Sequence, residues 1–191
     1  MKYQNVRETL IERTVTVIAN LGLDRATTKA IVGDTGINEA YIYRQFADKD
    51  DMIVKAFDML DEELVAVVLK NITVMEKTEL EFETRCRLYF SAVWQFLLSN
   101  RDKCLAFVQY FYSLYFSRFS ADDHKARFQP VIEKFSVVFR DEADVWMILN
   151  HILNVMLDFA VKVHNDQMSK DDDYAEHVFR VIYASVEQYF R

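Results

Sequence analysis

The sequence predicts an all-α protein, and three observations carry that expectation. Only three glycines and one proline occur among 191 residues. That is too few for the tight turns that sheets and glycine-cradled nucleotide sites require. Apolar residues recur at helical spacing along most of the chain. At 51% hydrophobic and 28% charged, the chain carries enough apolar surface to build a core, which argues against disorder.

The elements follow in chain order. Val6, Leu10, Val15, Ile18 and Ala19 form the apolar stripe of a first helix that ends before Gly22. Thr27 is placed to cap a short second helix with Ala30, Ile31 and Thr35 on its core face. Gly33 inside that helix is unfavourable by about 1 kcal/mol relative to alanine. Gly36-Ile37 reads as a tight turn, and Asn38 caps a third helix over Glu39–Gln45. Asp48 caps a fourth helix, with Asp51 completing a box-like pattern. Three short helices, the second and third separated by a glycine turn, make a helix-turn-helix. Longer helices are expected at about 79–99, 101–118, 121–138, 142–165 and 173–190, with Pro130 kinking or splitting the seventh. The division is a head over residues 1–50 and a body over 51–191.

Charge is unevenly spread. Residues 1–50 hold seven basic and seven acidic side chains, so the whole net charge of −7 lies in the body. Cys86 and Cys104 have no paired spacing, which argues for a reducing compartment and against a zinc knuckle. No charged-then-apolar leader opens the chain, and the apolar stretch 147–163 carries Asn150, His151, Asn154 and Asp158. A buried helix suits that stretch better than a membrane span, and the expected location is the cytoplasm. The four histidines show no HExxH or i,i+4 pairing, and neither a nucleophile triad nor a phosphate loop is visible. The expectation is a non-enzyme without metal or cofactor.

The segment from Thr27 to Met52 carries the most specific signal: a capped short helix, the Gly36-Ile37 turn, Tyr43, Phe46 and Lys49. It resembles the DNA-binding head of the tetracycline-repressor (TetR) family of transcription regulators, and the resemblance covers residues 6 to about 57. A recognition helix must bury one face on its own domain and present the other to the major groove. Ile42 and Phe46 make the buried face; Asn38 caps, and Glu39, Ala40, Tyr41, Tyr43, Arg44 and Gln45 surround the rest. The resemblance assigns phosphate contacts to Thr28, Tyr41, Tyr43 and Lys49, a base or phosphate contact to Lys29, and base-reading positions to Glu39 and Ala40. Glu39 departs from the usual donor at its position. It either accepts from a cytosine N4 or stabilises its helix N-terminus.

In the body, Phe107-Val108-Gln109-Tyr110-Phe111-Tyr112-Ser113-Leu114-Tyr115-Phe116 is apolar nearly all round, so neighbours should surround it. It reads either as a solid aromatic core or as the wall of a small-molecule chamber, with tyrosine hydroxyls as polar points. The resemblance, which implies an inducer chamber in the body, favours a pocket of Phe107, Tyr110, Phe111 and Phe116, with Trp146 or Asn150 close by. Asn150, Asn154, Asp158 and Lys162 form a polar stripe that faces a ligand, water or a partner. Beside it stand Ile148, Ile152, Val155 and Phe159; the last helix presents Val178, Phe179, Ile182 and Val186. In the resembled family the last two helices pair with their twins as a four-helix bundle, which makes these residues the expected dimer interface.

The reading is a homodimeric, ligand-responsive regulator, most simply a repressor released from a pseudo-palindromic double-stranded operator by a small apolar or aromatic effector. The rival is a helical protein–protein adaptor with weak or no DNA binding, favoured by the neutral head and by Glu39.

Overall fold

The computed structural model describes residues 3–33 and 35–191. Asp34, within the helix-turn-helix segment, lies outside the described residues. Nine α-helices are formed among those described: α1 (Tyr3–Leu21), α2 (Thr28–Val32), α3 (Ile42–Gln45), α4 (Lys49–Asn71), α5 (Phe82–Ser99), α6 (Arg101–Phe111), α7 (Ala121–Phe135), α8 (Val145–His164) and α9 (Asp172–Val186). Short 3₁₀ turns precede α2 and α3 and follow α4 and α9, and a π-helical turn over Phe116–Ser120 leads into α7. The all-α architecture is as the composition predicts.

The chain divides into two compact units. One comprises the residues up to Glu63 with Asp102–His124; the other comprises Leu64–Arg101 with Lys125–Arg191. The expected division at residue 50 falls inside the first unit, and α4 contributes residues to both.

In the first unit the predicted caps form. The Thr27 hydroxyl accepts from the Ala30 N–H at 3.1 Å, and the Asn38 side-chain oxygen accepts from the Ala40 N–H at 2.9 Å. At α4 the Asp51 N–H donates to the Asp48 carboxylate at 2.8 Å, while the Asp51 carboxylate accepts from the Ala47 N–H at 2.9 Å. The pair satisfies the Asp51 N–H, one of those a helix start otherwise leaves open, and ties the preceding Ala47 N–H to the first turn. Gly33 proves to terminate α2 rather than interrupt it. Its φ is +41°, and a Cβ there would lie 3.0 Å from the Arg13 guanidinium. Leu10, Val15 and Ile18 of α1 bury with Ile31, Ile42, Phe46, Met52 and Ile53 to form the head core.

The aromatic segment of α6 packs inside this same unit. Phe57 stacks on Tyr110 at 4.3 Å between ring centroids and tilts against Phe107 at 5.2 Å. Phe111 meets Phe116 at 4.4 Å, and His124 stands edge-on to both Phe111 and Phe116 at 5.4 Å. The His124 imidazole and the Asp61 carboxylate, both buried, are 2.8 Å apart. Tyr110 shares a 2.8 Å hydrogen bond with Ser120, and burial pushes its phenol up to about 12. The expected 101–118 helix stops at Phe111. The Ser113 hydroxyl donates to the Tyr110 carbonyl at 2.6 Å and accepts from the Tyr115 N–H at 3.2 Å, giving the backbone an alternative to the helical ladder.

In the second unit α5 packs against α8 and α9, which also pack on each other. Ile148, Leu153, Met156, Leu157, Ala160 and Val163 are the buried face of α8. By length and composition α8 is apolar enough to cross a membrane, but here that face meets protein. Phe139 pairs with Phe190 in an isolated antiparallel bridge, flanked by hydrogen bonds from the Arg140 N–H to the Tyr189 carbonyl and from the Arg191 N–H to the Val138 carbonyl. Pro130 lies within α7, which continues through it.

Candidate functional site

Ile42 is fully buried and Phe46 nearly so, which fixes the face that α3 turns to its own domain. Lys29, Asn38, Glu39, Ala40, Tyr43 and Arg44 are exposed, and Thr28, Tyr41, Gln45 and Lys49 are half-buried. Tyr43, 62% exposed, is among the most open large side chains of the chain. The Arg44 guanidinium lies 5.1 Å over the Tyr41 ring, so two candidate contacts support each other's orientation. On the buried side, Arg7 sits 5.1 Å over Phe46.

Two of these side chains have partners that the sequence did not announce. The Thr28 hydroxyl donates to the Glu39 carboxylate at 2.7 Å, tying the start of α2 to the turn that begins the recognition segment. Lys49 donates to the Tyr115 hydroxyl at 3.4 Å and lies 3.5 Å from the Asp50 carboxylate, and Tyr115 itself donates to Asp50 at 2.8 Å. Burial pulls the Lys49 ammonium down, but its hydrogen bonds and charge interactions with Tyr115 and Asp50 outweigh this, leaving its pKa above the ordinary lysine value. Lys49 is thus a pre-positioned cation at the N-terminus of α4. Tyr115 lies too far away in sequence for spacing to reveal the link.

The second unit contains a cavity of about 100 Å³, lined by residues of α4, α5, α7, α8 and α9 and by the Phe190 segment. Its wall includes Val68, Tyr89, Phe90, Phe135, Ile152 and Ile182, and no charged side chain. None of Phe107, Tyr110, Phe111, Phe116, Trp146 or Asn150 lines it. The reason is packing: the first four fill the aromatic cluster with Phe57 and His124, Trp146 meets Phe128 at 6.0 Å, and the Asn150 amide donates to the Trp146 carbonyl at 3.2 Å. A sequence signal for the cavity did exist. Phe128, Val131 and Phe135 make a helical stripe on a mostly polar α7, and Phe139 follows just beyond its end.

The expected interface residues differ in their burial. Ile148, Val178, Phe179, Ile182 and Val186 are buried within the unit. Ile152, Phe179, Ile182 and Val186 belong to the cavity wall, while Ile152, Val155 and Phe159 keep partial exposure. The stripes of α8 and α9 are spent on each other and on α5. The outward apolar side chains of these helices are instead Met147, 54% exposed, and Val181, 56% exposed.

An exposed polar face opposite a buried Ile42–Phe46 face, on a capped helix-turn-helix, is the arrangement of a DNA-binding head. Residues 10–56 match the family model of the bacterial regulatory proteins of the tetR family. A TetR family transcription regulator from Marinobacter aquaeolei VT8 superposes with a TM-score of 0.76 at 12% identity, covering 96% of this chain and 97% of that one. A TetR-like transcriptional regulator from Rhodococcus sp. RHA1 gives 0.68 at 14% identity, covering 95% and 96%. The fatty acid degradation regulator of Bacillus halodurans gives 0.64 at 15% identity, covering 92% and 96%. No curated protein matches the sequence. The head matches the tetR-family model, and the chain as a whole shares the fold of solved TetR-family transcription regulators.

Proposed function

We propose that this protein is a homodimeric transcription regulator that represses from a pseudo-palindromic operator and releases it when a small apolar molecule fills the cavity of the second unit. The observation that carries the reading is the exposed polar and aromatic face from Asn38 to Gln45, set opposite the buried Ile42 and Phe46. Thr28, Lys29, Tyr41, Tyr43 and Lys49 hold phosphates, and Ala40, Arg44 and Gln45 meet base edges. Glu39, engaged by Thr28, orders the segment and reads a cytosine only by sharing that carboxylate. Val68 of the cavity wall and Lys49 both belong to α4, which gives an effector one helix through which to act on the head. A ligand that favours the released state by about 1–3 kcal/mol would lower operator affinity about 5- to 150-fold.

Fluorescence anisotropy with the DNA beside the protein's own gene tests the reading. Lys49→Ala is expected to weaken binding to all sequences about equally and to lower the salt slope by about 1 per lost contact in each head. Wild-type affinity in that variant across a salt series would remove Lys49 from the interface. Failure of the wild-type protein to bind DNA at any salt would favour the adaptor reading instead.

For the dimer, the outward face of α8 and α9 around Met147, His151 and Val181 is the proposed contact. Val181→Glu is expected to give folded monomers in analytical ultracentrifugation, with the helical signal intact. A dimer unchanged by that substitution would place the interface elsewhere.

A further inference from the structure

The cavity of the second unit has a definite polarity, and this inference rests on the reading of that cavity as the effector site. Its wall holds no lysine, arginine or histidine. A carboxylate inside would lose its water and gain no counter-charge, which is the costly case for any buried ion. Cys86, also in the wall, is no trap for electrophiles, because burial pushes its thiol up to about 12 and keeps it protonated.

Two hydroxyls stand in this apolar wall, those of Tyr89 and Tyr183, and burial raises the Tyr89 phenol further. The Tyr89 ring rests edge-on against Phe135 at 5.3 Å between centroids. Its hydroxyl makes no hydrogen bond with any described residue, and burial alone raises its pKa far above the ordinary phenol value. The phenol therefore stays neutral and keeps its proton to donate. A hydroxyl that no protein group engages takes its partner from whatever fills the cavity, water or a ligand, since an unmade bond costs more than a made one returns. A cavity of about 100 Å³ is on the scale of the engineered apolar cavities of about 150 Å³ that hold benzene.

We propose that the cavity selects an uncharged, compact apolar molecule bearing a single hydrogen-bond acceptor, and that Tyr89 donates to that acceptor. A ketone, aldehyde or ester of about ring size meets the description. The corresponding carboxylate does not.

The test uses three small probes with the full-length protein: cyclohexanone, its isostere methylenecyclohexane, and cyclopentanecarboxylate at pH 7.5. Binding is read by tryptophan fluorescence, because the buried Trp94 ring stacks at 5.7 Å on Phe90 of the cavity wall. The decisive quantity is the change on Tyr89→Phe, which keeps the ring and cancels the probes' different costs of leaving water. The ketone is expected to weaken about tenfold (about 1.4 kcal/mol), the alkene to stay within about twofold, and the carboxylate to bind neither protein. A thermal melt of Tyr89→Phe that matches wild type secures the comparison. If both neutral probes bind and the substitution weakens them equally, or if the carboxylate binds as tightly as the ketone, the proposed selectivity is wrong while the cavity remains a ligand site. If none of the three binds, the cavity reading falls and the selectivity with it.

Discussion

Truncation of Tyr110 or Phe57 to alanine is expected to lower the stability of the protein by about 3–5 kcal/mol each. Both rings are 1% exposed and stack on one another at 4.3 Å, inside a shell completed by Phe107 and His124. Removing either leaves a void that fixed neighbours cannot close, so the lost transfer energy and the cavity term add. Tyr110→Ala also strips the buried Ser120 hydroxyl of its partner. Urea denaturation followed by circular dichroism measures the loss. Had this helix walled a ligand chamber, its truncations would be cheap and would alter effector response. A loss below about 1 kcal/mol would return the segment to that role, against the range expected for buried rings.

Ile182→Glu carries the other large effect. Ile182 is 5% exposed and faces a cavity whose wall offers no cation. A glutamate there must be buried without a partner or must open the unit to water, and such substitutions belong to the destabilising extreme, above about 4 kcal/mol. The expected outcome is loss of cooperative melting, not a clean monomer. A well-folded monomer would instead restore Ile182 to the subunit interface. The contrast with Val181→Glu, one residue away and more than half exposed, separates core from contact surface without moving to another helix.

The head was legible because its determinants are local. Thr27, Asn38 and the Asp48–Asp51 pair act over two to four residues, and the spacing of Ile42 and Phe46 sets the buried face directly. The body was legible only as helices. An apolar stripe states that a face is covered but not by what, so the stripes of α8 and α9 fit an intermolecular bundle as well as the packing they adopt within the chain. The apolar character of the 107–116 segment implied burial all round, which holds for Phe107 and Tyr110 but not for Tyr112 and Leu114, 66% and 86% exposed, and periodicity does not distinguish a filled cluster from a hollow one. Contacts such as His124 with Asp61, 63 residues apart, and Lys49 with Tyr115, 66 apart, depend on tertiary placement. The end of α6 was open to the sequence in principle, since Ser113 is the kind of residue whose hydroxyl competes with the helical ladder.

The hydrogen bond between Thr28 and Glu39 bears on any attempt to retarget the protein to a new operator. A library that randomises the recognition segment alone will change position 39 while leaving the Thr28 hydroxyl behind, so each variant tests a new base preference and a loosened head at once. Positions 28 and 39 behave as a single design unit. Varied jointly, with hydroxyl–carboxylate pairs exchanged for matched apolar or amide pairs, they let specificity be selected on a head whose internal geometry is held constant.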